Sequence, residues 1–158
     1  MKYNRFEELP VWKAAIQLAV RVYKLTSQKA FLHQRSLRDQ IERAAVSISN
    51  NVAEGFERGT KQELLTFLYI ARGSAGEVRS MLCLLEELPG FDNLKFEISN
   101  LKLLAEEIGR QLRGWSEFLQ ECPIKGQRFL TQKSSKLDRA RKDRDDMMRE
   151  LRRIQESA

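Results

Sequence analysis

Between Leu9 and Leu119, apolar side chains recur at intervals of three and four, the period of a helix with one buried face. Four segments carry the pattern. The first opens at Leu9-Pro10, where proline suits a first turn because its missing N–H has no helical partner there anyway. Val11, Ala15, Leu18, Ala19, Val22 and Leu25 form its apolar stripe, and Lys13, Gln17, Arg21 and Lys24 line another face. Residues 26–34 are polar and read as a loop. The second segment begins near Ser36, with Ser36 and Asp39 spaced as a variant capping signal. Its stripe is Leu37, Ile41, Ala44, Ala45, Ile48 and Val52. It is expected to stop by Gly55, because glycine tolerates the left-handed conformation that ends many helices.

Thr60 and Glu63 form a capping box for the third segment. Leu64, Phe67, Leu68, Ala71, Ala75, Val78, Met81, Leu82 and Leu85 follow, and Pro89-Gly90 stops it. The fourth starts near Asp92 with Phe96, Ile98, Leu101, Leu104, Ala105, Ile108, Leu112, Trp115, Phe118 and Leu119, and Cys122-Pro123 closes it. The last two helices approach about 40 Å at 1.5 Å per residue. Helices of that length joined by short loops predict an all-α, antiparallel up-and-down four-helix bundle over residues 1–122. No alternation of period two competes.

Residues 123–158 are of another kind. Residues 124–135 are rich in Lys, Gln and Ser and read as a linker. Residues 136–155 read as a charged helix, with Leu137, Ala140, Arg144, Met147, Leu151 and Ile154 at heptad spacing, a weak coiled-coil seam. Residues 1–122 hold 17 Lys/Arg against 16 Asp/Glu, whereas residues 123–158 hold 11 against 6. The basic excess therefore belongs to this C-terminal helical extension, and it suits either an acidic partner such as nucleic acid or a solvated tail.

Candidate chemistry is sparse. Gly55 to Lys61 resembles a phosphate-cradling loop at a glance, but only three residues separate Gly55 from Gly59. Thr60 also precedes Lys61, and a helix rather than a strand leads in. Cys83, Cys122 and His33 make no metal pattern, so no metal or cofactor is expected. Glu86-Glu87 and Glu106-Glu107 are adjacent pairs on exposed arcs, and Ser47, Ser49 and Ser74 have no histidine base nearby in sequence. The expectation is a protein without an active site. With no signal peptide at Phe6-Glu7-Glu8 and no apolar run of about 18 residues, a cytoplasmic setting without a membrane contact is expected.

Basic residues of the bundle offer more. Lys13, Arg21 and Lys24 share a face, Arg35, Arg38 and Arg43 sit early in the second helix, Arg58 and Lys61 flank the turn, and Arg72 and Arg79 are seven apart. Arg139, Arg141, Lys142 and Arg144 add to them from the extension. All are candidates for phosphate contacts, with ordinary surface pairing as the alternative in a single subunit. Ser47, Asn51 and Glu54 on the second helix, with Gly73 and Gly76 on the third, are candidates for close packing. Each interior glycine costs about 1 kcal/mol relative to alanine, and close helix approach would compensate. Phe67 and Tyr69 are expected across the hairpin from the small residues of the second helix. Packing within one bundle and packing between subunits are both open.

Five stretches point further. They are Phe6-Glu7-Glu8-Leu9-x-Val11-Trp12, then Gln40-Ile41-x-Arg43-Ala44-Ala45-Val46-Ser47-Ile48, Asn51-Val52-Ala53-Glu54-Gly55, Phe67-Leu68-Tyr69-Ile70-Ala71-Arg72-Gly73-Ser74 and Glu107-Ile108-Gly109-Arg110. Over residues 4–120 the chain resembles the four-helix-bundle proteins that include those encoded in ribosomal-RNA intervening sequences. The same family holds Avd, the accessory variability determinant of diversity-generating retroelements. The resemblance implies a barrel-shaped homopentamer without catalytic residues. For the retroelement branch it implies a basic surface that binds RNA or RNA/DNA and a reverse transcriptase, in support of templated cDNA synthesis. For the orphan branch the alternative is a structural protein-interaction module. The family commonly has Pro-Ala where Ser49-Asn50 stands, so the second helix is expected to be straighter here.

Overall fold

The computed structural model of the chain describes residues 3–121, together with Arg144 and Arg149. The chain divides into two units, Met1–Gly126 and Gln127–Ala158, and the helices described below belong to the first. They are α1 (Pro10–Thr26), α2 (Arg35–Glu57), α3 (Lys61–Glu87) and α4 (Lys95–Glu121), with no strand among the described residues. Each packs on its neighbours in the order α1–α2–α3–α4, and α1 also packs on α4 to close the set. Gln40 reaches Glu77, Ser47 meets Ser74, and the backbone at Gly55 lies against Leu64 and Phe67. Partners fall in α3 as they rise in α2, so these two run antiparallel. Lys102 with Glu86 and Gln120 with Tyr69 show the same for α3 and α4.

The apolar stripes meet in the middle. Leu18, Val22, Ile41, Ile48, Leu68, Leu82, Ile98, Leu101 and Ile108 are all sealed from solvent. At roughly 25 cal/mol per Å² of apolar surface removed from water, this single core supplies most of the drive to fold. α3 opens as expected: Thr60 Oγ1 accepts from the Glu63 backbone N–H at 3.2 Å and donates to the Glu63 carboxylate at 2.7 Å. Arg58 holds both Glu54 (2.6 Å) and Glu63 (3.7 Å) across the corner and lies over the Phe67 ring at 5.3 Å.

Several expectations change. α2 begins at Arg35 with Gln34 before it, so Ser36 sits inside the first turn. Asp39 pairs with Arg35 and Arg38 rather than capping. Gly55 does not end α2, which continues to Glu57. Its glycine serves packing, since a Cβ there would lie 2.7 Å from Phe67 Cβ. Among the described residues the positive φ falls instead on Gly90, at +90°, in the turn between α3 and α4. The segment after α1 is not merely polar loop. It contains a short 3-10 turn, Lys29–Phe31, whose Phe31 is buried edge-on against Phe91, ring centroids 5.0 Å apart. α4 starts at Lys95, after a second such turn at Asp92–Leu94. Phe96 and Phe118 fall outside the core, 81 % and 66 % exposed, because they occupy the outer arc of α4.

Candidate nucleic-acid interface

The bundle's cations divide by what already holds them. Arg21 is half-buried and grips Glu97 of α4 with both ends of its guanidinium, at 3.0 and 3.1 Å. Of the two roles open to it, phosphate contact and surface pairing, this geometry is the pairing, and it ties α1 to α4. Arg35 and Arg38 face Asp39 and Glu42 at 3.6–3.9 Å, and Arg58 is held at the corner. The hydrogen bond from Arg58 to Glu54 raises its pKa further, so its charge is fixed. Lys61 lies half-exposed at the start of α3. Lys13 and Lys24 are exposed on α1. Arg72 and Arg79 are exposed on α3 and make no ion pair among the described residues. Arg144 is exposed in helical backbone, whereas Arg139, Arg141 and Lys142, and the linker and heptad seam assigned to the extension, lie outside the described residues.

Arg72 and Arg79 do not stand alone. They edge a groove of about 280 Å³ between α3 and α4, whose other rim carries Arg110 and Arg113. Ala75, Gly76, Ala105 and Gly109 make its floor, and a Cβ on either glycine would meet nothing within 4 Å. The floor is therefore low because its side chains are small, and the guanidinium groups rise on both sides. Glu106 also lines it. On the α4 rim Arg110 pairs with Glu107 at 2.7 Å and Glu106 at 3.6 Å, and Arg113 with Glu117 at 2.7 Å. The Arg110 hydrogen bond, followed by that from Gln111, holds the Glu107 carboxyl below the usual carboxylate range. Outside the groove's lining, Arg72 also lies over the Tyr69 ring at 5.6 Å, and Gln120 Nε2 donates to the Tyr69 hydroxyl at 2.6 Å. Arg110, Arg113 and Tyr69 escape a one-helix reading. The available signal is a glycine inside each of two neighbouring helices with arginines within a turn.

The residues expected to pack closely separate too. Ser47 does face α3: its hydroxyl shares a 2.9 Å hydrogen bond with that of Ser74, which donates on to the Ile70 carbonyl. Asn51 donates to the Ser47 carbonyl and hydroxyl at 2.7 and 3.0 Å. This network lies between α2 and α3 of one chain and contains no base that could activate a hydroxyl. Glu54 points to Arg58 on the surface. Gly73 and Gly76 are open, so of the two kinds of packing expected of them close approach inside the bundle is not made. Phe67 faces α2 as expected, but Tyr69 turns to α4 instead. On α1 an unexpected outer stripe, Ile16, Val20 and Tyr23, lies 36–50 % exposed beside Ala19, and Tyr23 adjoins Arg43, Val46 and Asn50 of α2.

Among the described residues no group of three or more His, Cys, Asp or Glu could hold a metal ion, and no helix is long and apolar enough to cross a membrane. The sequence model of the 23S rRNA-intervening sequence protein family matches residues 7–114, from just before α1 to about three-quarters of the way along α4. The chain belongs to this family. The matched span includes the network at Ser47 and every residue lining the arginine groove. No curated protein matches the chain.

Proposed function

We propose that this intervening-sequence family member is a non-enzymatic accessory protein that binds nucleic acid and works as a homo-oligomer, a pentamer as in the branch that includes Avd. The observation that carries the reading is the α3–α4 groove, where arginines from two helices converge over a floor of small residues. Arg72 and Arg79 are its available cations, because neither makes an ion pair among the described residues. One bundle has little net charge, so its own field is weak. Repeating the groove around a symmetry axis would multiply that field. Self-association is supported by the exposed Ile16, Val20 and Tyr23 stripe and by the open Gly73 and Gly76, which cost helix stability without a partner inside the chain. The likeness to Avd extends the proposal to a reverse transcriptase partner and to RNA or RNA/DNA as the bound strand.

The test is affinity for labelled RNA between about 50 and about 200 mM salt. The expected result is a steep fall, with the slope reduced by about 2 in Arg72→Ala/Arg79→Ala, one unit per lost phosphate contact. Undetectable affinity at low salt, or affinity insensitive to salt, overturns the reading. Mass in solution tests assembly, and a stable monomer refutes the ring. Whether a reverse transcriptase gene adjoins this one, and whether its product is retained on the immobilised protein, tests the partner.

A second reading, a structural protein-interaction module, is favoured by the apolar α1 stripe alone. Val20→Asp/Tyr23→Asp, set beside Arg72→Ala/Arg79→Ala, discriminates. Loss of a protein partner in the first with RNA binding kept supports the module, and loss of RNA binding in the second supports the accessory role.

A further inference from the structure

Tyr69 sits one turn before Arg72 on α3, outside the groove's lining but joined to its rim by the Arg72 guanidinium. It is 40 % exposed, yet both its ends are held. Gln120 of α4 donates to its hydroxyl at 2.6 Å, and the Arg72 guanidinium lies over its ring at 5.6 Å. A ring fixed at its tip and covered on one side has lost its rotamer freedom before any ligand arrives. Ordering it on binding therefore carries little further entropic penalty. The recess beyond Arg72 measures about 280 Å³, the scale of one small ligand unit rather than of a helix, and open glycines floor it.

We infer that this groove takes a single strand of nucleic acid, with Tyr69 as a stacking platform for a base and Arg72 and Arg79 as the phosphate contacts. The inference rests on the nucleic-acid reading above and narrows it. A duplex presents phosphates outward and keeps its bases stacked on each other, so it can engage the arginines but offers no base face to Tyr69. A single strand offers both, and aromatic stacking accepts any base because every base has a π-face. Arg72 serves twice, since a guanidinium over an aromatic ring keeps its N–H edge free for a phosphate oxygen. An acidic peptide would use the arginines and leave Tyr69 idle.

The experiment compares a labelled 20-nucleotide oligouridylate with an RNA duplex of equal length, on the full chain. The variants are Tyr69→Leu, Tyr69→Phe and Arg72→Ala/Arg79→Ala, with thermal melts confirming that each is folded. Tyr69→Leu is expected to weaken the single strand about tenfold with its salt slope unchanged, because stacking releases no counterions. Tyr69→Phe, which keeps the ring, should retain most of the affinity, and duplex binding should ignore both changes. The arginine pair should weaken single strand and duplex alike. An unchanged single-strand affinity in Tyr69→Leu overturns the stacking role, as does an equal loss on both ligands. Duplex bound as tightly as single strand by the parent protein overturns the single-strand inference and leaves the broader reading standing. Binding of neither ligand sinks both. Polyglutamate displacing the oligouridylate at equal charge concentration would show that the groove reads charge alone, and that too overturns the inference.

Discussion

Glycine has two opposite meanings along this chain, and the neighbours of each one decide which applies. At Gly55 a Cβ would collide with Phe67 Cβ at 2.7 Å and crowd Leu64 Cδ1 at 3.2 Å. Gly55→Ala is therefore expected to lower unfolding free energy by about 1–3 kcal/mol, the range for overpacking, in urea titrations. Gly73 faces open space, so Gly73→Ala should raise subunit stability by about 1 kcal/mol at high dilution. If subunits close on that face, the same substitution also lowers the mass in solution. Glu107 supplies a test in pH. Arg110, then Gln111, depress its carboxyl, so the stabilisation they confer is present at neutral pH and is lost as pH falls through the depressed value, below the ordinary Glu range near about 4.3. In Arg110→Ala the NMR titration midpoint of Glu107 should move back up.

At the level of elements, strong local signals survive folding and weak ones yield to it. Thr60 and Glu63 cap α3 as their spacing predicts, so Thr60→Ala should cost about 1 kcal/mol in chemical denaturation. Ser36 and Asp39 have a similar look but not the role. Asp39 is surrounded by Arg35, Arg38 and the Arg43 side chain, which donates to its carbonyl, and α2 begins one residue ahead of Ser36, at Arg35. The polar stretch after α1 hides Phe31 because one aromatic gives no period to detect. Its burial depends on Phe91, sixty residues later in the chain. Phe96 and Phe118 fail in the other direction. Both fit a loose helical stripe, yet the arc they occupy meets no other helix among the described residues.

Across the whole molecule, α1 must dock on α4 for the four helices to close, and Arg21 with Glu97 is the polar clamp there. The two side chains remain 35 % and 39 % exposed, so solvent screens them. Arg21→Ala should cost no more than about 1 kcal/mol and should leave RNA affinity at the α3–α4 groove unchanged. A loss of affinity as large as that of Arg72→Ala/Arg79→Ala would return Arg21 to the binding surface. The groove is itself a property of this scale. Arg72 and Arg79 are visible as a pair seven apart on one helix, but Arg110 and Arg113 join them only because α3 and α4 pair antiparallel, with Gly76 and Gly109 on the groove floor between them.

Hydrophobic period and capping chemistry are local quantities, and the amino-acid sequence by itself determined what depends on them. It determined four helices, most of the buried stripe of each, the Thr60 cap, and the family that the helix-two block identifies. Which face of α3 meets which neighbour depends on how rigid helices share one core, and no window of sequence contains that. The tertiary structure alone decided that Gly55 is a contact and Gly73 a gap. It decided that Arg21 is a clamp and Arg72 an available cation, and that Tyr69 turns to α4 rather than α2. Each of these is fixed by atoms brought together from distant positions, where sterics and charge pairing act over a few ångströms of space and take no account of separation along the chain.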